Sequence, residues 1–183
     1  PELPDKYRGA PFVLLGNISP ELQLRVLSQI PRVKFVVADT MDLWINTARK
    51  PLMSVISKVH MLTLNDGEAR LLTGEYNLKK CAAKIMGWGP RYVVIKKGEH
   101  GAILFTRSGP FLVPAYPVDN VRDPTGAGDA FAGGFMGRMA AAGTVSDGAV
   151  KEALLHGSVV ASFAVEEFSV GALVKLSMPH IRK

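Results

Sequence analysis

Short runs of apolar, mostly β-branched residues alternate along the chain with segments in which apolar positions recur at helical spacing. The runs end in turn residues, and this alternation is typical of a parallel sheet whose strands are joined by crossover helices. The pattern predicts four strands, at Phe12–Leu15, Phe35–Ala38, Met61–Leu64 and Tyr92–Ile95. An α/β fold is therefore expected.

The segments between these strands carry the start and stop signals of helices. Ser19 is followed by Pro20, the arrangement of an N-cap with proline at the first helical position. Apolar residues then fall on one face, which predicts a helix directly after the first strand. Further helices are predicted at Pro51–Lys58, Gly67–Leu72 and Leu78–Met86.

The pattern changes after the fourth strand. The runs Ala102–Thr106 and Phe111–Val113 flank turn residues and predict an antiparallel hairpin. From Gly126 to Glu167 the chain is rich in Ala and Gly and almost free of strand signals, which predicts two or three packed helices, and Met178–Lys183 resembles the opening turn of another helix. Together these elements predict a three-layer α/β/α sandwich with a mainly parallel sheet.

Composition limits the class of protein. The chain has 183 residues, of which 48% are hydrophobic and 21% charged, values of a folded domain, so we expect a single domain over residues 1–183. Cys81 is the only cysteine, which excludes an internal disulfide and favours a reducing compartment. The first residues are polar and no apolar stretch is as long as a membrane span, so a cytoplasmic protein without a membrane partner is expected.

The charge balance favours an anionic ligand. Lys and Arg number 22 against 16 Asp and Glu, for a net charge of +6. The basic residues are spread along the chain without a basic run or interleaved aromatics, so the pattern suits a phosphorylated metabolite or a nucleotide and not a nucleic acid. An ordinary solvated surface with a mild basic bias is the alternative.

The segment Asp123–Phe135, with sequence DPTGAGDAFAGGF, carries the strongest chemical signal. Gly126 and Gly128, separated by Ala127, precede an amphipathic stretch, so bare backbone amides at the start of a helix would converge on an anion. Asp129 would then lie in the first helical turn, where a carboxylate near a bound phosphate can accept a proton from an incoming hydroxyl. The alternative is that Asp129 only caps the helix while the glycines permit close packing.

Two other glycine motifs are excluded. A dinucleotide-binding fingerprint needs a third glycine where this chain has Phe131, and no G-x-x-x-x-G-K-[ST] loop occurs. The segment instead resembles the C-terminal signature of the ribokinase-like, PfkB-type carbohydrate and nucleoside kinases. This resemblance implies a ribokinase-like fold, with Asp129 deprotonating the acceptor hydroxyl and the amides of Gly126, Ala127 and Gly128 stabilising the transferring phosphoryl group.

The same resemblance implies two metal ions. Asp123 and Thr125 become candidate ligands of a monovalent cation, usually potassium. Asn65 and Glu68, which follow the strand Met61–Leu64, look like the family's N-x-x-E motif, whose equivalents position Mg²⁺, largely through water, and the nucleotide phosphates. For this pair the alternative is a helix start, with Asn65 as N-cap and Glu68 completing a capping box.

The resemblance also implies contacts to the nucleotide. Lys96 and Gly98 close the strand Tyr92–Ile95 at a corner that lies along the nucleotide in the family, where the alternative is a glycine turn with solvated lysines. His156 and Gly157 begin a small-residue stretch against which a purine would lie flat, where core packing is the alternative.

The resemblance covers only the C-terminal part of the family. The family's sugar-binding motif and its small β lid have no counterpart ahead of Phe12, so the chain is expected to be a fragment or a truncation. The predicted function is ATP-dependent phosphorylation of a sugar or nucleoside hydroxyl. The alternative is a truncated, non-catalytic module that binds nucleotide or assembles with another polypeptide, including a second copy, through an exposed sheet edge.

Overall fold

A computed structural model describes residues 2–181 of the protein. Six strands, in chain order β1 to β6, form one sheet in that same spatial order. They are β1 (Phe12–Leu15), β2 (Phe35–Asp39), β3 (Met61–Asn65), β4 (Tyr92–Lys96), β5 (Ala102–Thr106) and β6 (Gly109–Val113). Strands β1 to β4 pair in parallel, and β5 and β6 form the antiparallel hairpin. The predicted α/β fold with a mainly parallel sheet is therefore confirmed.

Nine α-helices lie within the described residues. They are α1 (Asp5–Arg8), α2 (Pro20–Leu27), α3 (Asp42–Thr47), α4 (Arg49–Ile56), α5 (Asp66–Thr73), α6 (Leu78–Gly87), α7 (Ala127–Ala142), α8 (Asp147–Glu166) and α9 (Met178–Ile181). Helices α7 and α8 fulfil the prediction of two or three helices in this part of the chain. The predicted final turn is present as α9, and the last two residues assigned to it, Arg182 and Lys183, lie outside the described residues.

Three predicted strands are each one residue too short. Asp39, Asn65 and Lys96 are the last residues of β2, β3 and β4, although the apolar runs stop one position earlier. Backbone pairing continues to these polar residues, and Asn65 of β3 is opposite Lys96 of β4 in the parallel register. The carboxyl ends of β2, β3 and β4 therefore carry polar side chains.

The helix predicted between β2 and β3 is present with shifted bounds, and a second helix in this crossover was missed. The predicted helix at Pro51–Lys58 is observed as α4, which begins at Arg49 and ends at Ile56. Helix α3 was missed altogether, because its N-cap residue, Met41, offers no side-chain acceptor to the first amides. Two short helices thus occupy the crossover for which one was predicted.

The chain divides into two compact units, which we describe separately. The first comprises residues 1–96 and 103–111, and the second residues 97–102 and 112–183. In the first unit, β2, β3 and β4 are buried on both faces, which explains their continuous apolar runs. In the second unit, α7 packs closely against α8, with Gly134 facing Val160. A single domain over residues 1–183 stays a prediction.

Candidate functional site

Helix α7 is preceded by a glycine that no larger residue could replace without backbone strain. Gly126 is the N-cap of α7 and has φ +81°, in the left-handed region that side chains with a Cβ rarely adopt. A Cβ built on Gly126 would meet nothing within 4 Å. The glycine is therefore required by the backbone conformation, and close packing does not explain the glycine at position 126.

Several amides at the start of α7 are open. The amides of Gly126, Gly128 and Asp129 have no acceptor within residues 2–181, while the Ala127 amide donates to the Pro124 carbonyl at 3.2 Å. Successive free amides at a helix N-terminus attract an anion through their dipoles. Of the three amides predicted for the anion hole, that of Ala127 is thus already engaged, and that of Asp129 is additionally available.

The Asp129 carboxylate does not cap the helix. Asp129 is the third residue of α7 and exposed, and its side chain has no hydrogen bond or ion pair within the described part of the chain. The N-cap position belongs to Gly126, which makes no side-chain cap. The carboxylate is therefore free to act on a ligand, and the capping alternative does not hold for it.

The loop before α7 is fixed by Asp123. Its Oδ1 accepts a hydrogen bond from the Thr125 amide at 2.9 Å. Hydrogen bonds from the Thr125 side chain and amide lower the pKa of Asp123 below its ordinary value. The Val165 carbonyl accepts the amides of both Arg122 and Asp123, at 2.8 and 3.3 Å, which joins this loop to the carboxyl end of α8. The ionised Asp123 is thereby held in one place.

In the first unit, Asn65 and Glu68 form a capping box at the start of α5. The Asn65 Oδ1 accepts the Glu68 amide at 2.7 Å, and Glu68 Oε2 accepts the Asn65 amide at 2.8 Å. The structural alternative for these residues is therefore realised. Each side chain still has oxygen lone pairs that the box does not use, and such hard oxygen donors suit Mg²⁺ held through water.

The half-buried Glu68 lies in a charged neighbourhood. Burial raises the pKa of Glu68 above its ordinary value, while the hydrogen bond from the Asn65 amide and the positive charge of Lys96 act in the opposite direction. The carboxylates of Asp39 and Asp42 add to the increase. Several ionisable groups of the first unit therefore influence one another at the carboxyl ends of its parallel strands.

Lys96 is paired with a residue that the sequence reasoning missed. Its Nζ lies 3.2 Å from Asp39 Oδ2, and only 8% of the Asp39 side chain and 20% of the Lys96 side chain are exposed. The signal for Asp39 was available, because it follows a buried apolar run as Asn65 and Lys96 do. Polar residues at this edge are of interest because open α/β sheets bind ligands at the carboxyl ends of their strands.

The remaining predicted nucleotide contacts lie in the second unit. Gly98 is exposed at φ +56° and begins a 3-10 turn that ends at His100. His156 is half-buried on α8, and Gly157 is buried against α7, where an added Cβ would come within 2.7 Å of the Phe131 carbonyl oxygen. Helix packing alone therefore accounts for the glycine at position 157. Its contact with a nucleotide stays a prediction.

Residues 2–181 lack two kinds of feature. No group of three or more His, Cys, Asp or Glu side chains is arranged to hold a metal ion directly. None of the helices in this range combines the length and the apolar character that crossing a bilayer requires.

Comparison with known proteins shows the family of the chain. The sequence profile described as pfkB family carbohydrate kinase matches residues 16–175. The chain belongs to this family, and the resemblance noted in its sequence is confirmed.

Individual relatives include kinases of different acceptors. The chain is 35% identical to the cytidine kinase of Thermococcus kodakarensis over 139 residues, which are 73% of this chain and 49% of that protein. It is 30% identical to the probable fructokinase-5 of Arabidopsis thaliana over 159 residues, 84% of this chain and 46% of that protein. The chain thus spans about half the length of the curated relatives that it matches.

Solved structures show the same fold. The aminoimidazole riboside kinase from Salmonella enterica, complexed with aminoimidazole riboside and an ATP analog, superposes with a TM-score of 0.74 at 21% identity, covering 94% of this chain and 63% of that one. A fructokinase double mutant from Vibrio cholerae in a fructose-, ADP- and potassium-bound form gives a TM-score of 0.78 at 20% identity, covering 90% and 57%. The ribokinase-like fold is therefore confirmed.

Proposed function

We propose that this chain carries the phosphate-handling part of an ATP-dependent phosphotransferase whose acceptor is a hydroxyl group of a sugar or nucleoside. The observation that carries the proposal is the start of α7, where free amides precede an exposed, unpaired Asp129. Relatives named for cytidine and fructose support this class of acceptor.

The proposed reaction is an in-line displacement. Asp129 takes the proton of the acceptor hydroxyl, the acceptor oxygen attacks the γ-phosphorus, and the bond from that phosphorus to the β–γ bridging oxygen breaks. ADP leaves, and the new phosphate ester stays on the acceptor. The amides of Gly126 and Gly128, together with that of Asp129, stabilise negative charge on the transferring group, and Ala127 joins them by exchanging its bond to Pro124 for one to the anion.

We assign the metal ions on the same basis. Asn65 and Glu68 would hold Mg²⁺ through water, and this ion, when bound, would neutralise charge on the nucleotide phosphates. Asp123 and Thr125 would hold a monovalent cation, usually potassium, beside the loop that precedes α7. A potassium ion is named in the Vibrio cholerae fructokinase structure. Lys96, Gly98, His156 and Gly157 remain proposed contacts of the nucleotide.

Calorimetric titration of the chain with Mg²⁺–ATP and with ADP, in K⁺ and in Na⁺ buffers, tests the binding part of the proposal. In Gly128→Val a branched side chain would occupy the space above the free amides, so nucleotide affinity should fall at least about tenfold. Gly137→Val is the matched control, because Gly137 lies on the same helix and an added Cβ meets nothing within 4 Å. Equal affinity of both variants for the nucleotide would contradict the proposed anion hole.

A test of the chemical role of Asp129 needs a polypeptide that also contains the acceptor site. Asp129→Asn in such a polypeptide should lower kcat by about 10²-fold or more while the affinity for nucleotide survives, since a general base acts on the chemical step. Unchanged turnover would contradict the assignment.

A second function is suggested by the edge of the sheet. Because β1 pairs only with β2 among the described strands, the alternative is a non-catalytic module that binds nucleotide or assembles through that edge. Size-exclusion chromatography with light scattering separates the alternatives. The Phe35 amide donates to the Pro11 carbonyl, so alternation along β1 directs the Leu14 amide to the open edge. A concentration-dependent dimer that a proline at Leu14 abolishes would support edge pairing, and a monomer at all concentrations would oppose it.

A further inference from the structure

The Lys96 ammonium is held by a carboxylate that lies two strands away. Lys96 ends β4 and Asp39 ends β2, so the lysine side chain crosses the end of β3 to bring Nζ within 3.2 Å of Asp39 Oδ2. With 8% and 20% of the two side chains exposed, water competes little for either charge. The pair therefore differs from a solvated surface ion pair, which has little fixed geometry.

Asp39 is itself fixed on both sides. Its Oδ1 accepts the Thr40 amide at 2.9 Å, and its backbone carbonyl accepts a hydrogen bond from Gln23 Nε2 at 3.1 Å. Gln23 is buried, and its amide also donates to the Gly16 carbonyl at 2.9 Å. The carboxylate that receives the Lys96 ammonium is thus an anchored acceptor at the carboxyl edge of the sheet.

The pair leaves the ammonium able to bind a ligand. An ammonium group has three N–H donors, and within residues 2–181 that of Lys96 has the two oxygens of Asp39 as acceptors, at 3.2 and 3.5 Å. A fifth of the Lys96 side chain, 20%, stays exposed, and Lys96 lies opposite Asn65 at the carboxyl ends of the strands. A free lysine would lose its considerable side-chain entropy on meeting a ligand, whereas this one is already ordered.

We infer that Asp39 is a positioning residue that holds the Lys96 ammonium in place for the phosphate groups of the nucleotide. The inference rests on the proposed function, which supplies the nucleotide, and it adds a residue to which neither the motifs nor the resemblance assigned a role. Asp39 acts through Lys96 and does not touch the ligand itself.

The direction in which one substitution changes nucleotide affinity distinguishes positioning from simple electrostatics. Asp39→Asn removes a negative charge near an anionic ligand, which by Coulomb attraction alone would tighten the binding of ATP and ADP. If Asp39 positions Lys96, the same substitution weakens that binding. A pair that only joins β2 to β4 would change the stability of the fold and leave nucleotide affinity unchanged.

The experiment is calorimetric titration of the chain with Mg²⁺–ATP, ADP and adenosine. Asp39→Asn and Lys96→Met should each weaken ATP and ADP by about tenfold and leave adenosine unchanged, because only the phosphates meet the ammonium. The double variant should bind no more weakly than Lys96→Met alone. Asp39→Glu, which keeps the charge, should retain part of the affinity. Lys84→Met is the matched control, since Lys84 also faces a carboxylate, that of Glu75 at 4.0 Å.

Circular dichroism and thermal unfolding serve as the control that each variant is folded. Should Asp39→Asn not fold, Asp39→Glu provides the same comparison, because its longer side chain displaces the ammonium and should weaken ADP but not adenosine. Unchanged or tighter ADP binding in a folded Asp39 variant would overturn the inference while the proposed function stands. A wild-type chain that binds neither ATP nor ADP would remove the proposed nucleotide site, and the inference with it.

Discussion

Gly157 of α8 lies so close to Phe131 of α7 that a Cβ at position 157 would come within 2.7 Å of the Phe131 carbonyl oxygen. The nearest side-chain atom of Phe131 would be 3.2 Å away. Backbone atoms cannot move aside as the end of a flexible side chain can. The spacing of the two helices is therefore set by the absence of a side chain at Gly157.

Gly157→Ala should destabilise the protein. The added methyl group forces α7 and α8 apart, and overpacking of this kind costs about 1–3 kcal/mol. Gly137→Ala is the control, because an added Cβ there meets nothing within 4 Å, and alanine in an exposed helix position should stabilise by about 0.5–1 kcal/mol. Urea unfolding of both variants checks the prediction. If both substitutions changed the free energy of unfolding equally, α7 and α8 could move apart at no cost, and the prediction would be wrong.

The ion pair of Asp39 and Lys96 should also be visible in unfolding. Lys96→Met leaves a nearly buried carboxylate without its counter-ion, which should cost about 3 kcal/mol. Replacing both residues, by Asp39→Asn with Lys96→Met, removes the unpaired charge and should cost less than Lys96→Met alone. A double variant that loses the sum of the single effects would show that the two charges do not interact.

Glu68 should make the protein less stable as the pH rises above its ordinary pKa of 4.5. Because burial raises the pKa of Glu68 in the folded state, the native protein binds more protons than the unfolded chain between 4.5 and the raised value. Stability is therefore fully present below pH 4.5 and decreases through this interval. Glu68→Gln, which can still complete the capping box with Asn65, should lack this decrease. Parallel curves of unfolding free energy against pH for the two proteins would contradict the prediction.

His60 should make the protein less stable as the pH falls, which is the opposite direction to Glu68. Burial lowers the pKa of His60 below 6.5, and its Nδ1 accepts the Val36 amide at 3.1 Å. Between the lowered pKa and 6.5 the unfolded chain binds more protons, so stability present above pH 6.5 is lost as the pH falls through this interval. His60→Asn keeps an acceptor at a similar position without the titration and should remove that part of the pH dependence. Thermal unfolding from pH 7 to pH 5 measures it, and an unaltered slope in the variant would disprove the assignment.

The strand ends show how far sequence reasoning reached. The apolar runs located β2, β3 and β4, because strands buried on both faces need apolar residues throughout. The pairing continued one residue further in each, to Asp39, Asn65 and Lys96. Polarity marked Asn65 and Lys96 at the ends of their strands but did not single out Asp39, and only the register and the side-chain geometry brought Lys96 to Asp39.

Helix α3 shows where local signals were insufficient. Asp42–Thr47 lacks a side-chain cap, so nothing in the sequence separated it from the loop after β2. Its buried Ile45 belongs to the apolar core of the first unit, which stabilises a helix that propensity alone would not form.

The sequence by itself determined the family, the positions of the parallel strands in the chain and the position of the glycine turn, since each rests on residue types at short, fixed spacings. Only the tertiary structure decided which amides before Asp129 are free, why residue 157 is glycine, and which carboxylate holds Lys96. Those properties depend on contacts between residues distant in the chain, such as Asp39 and Lys96, and no local pattern encodes the distance between them.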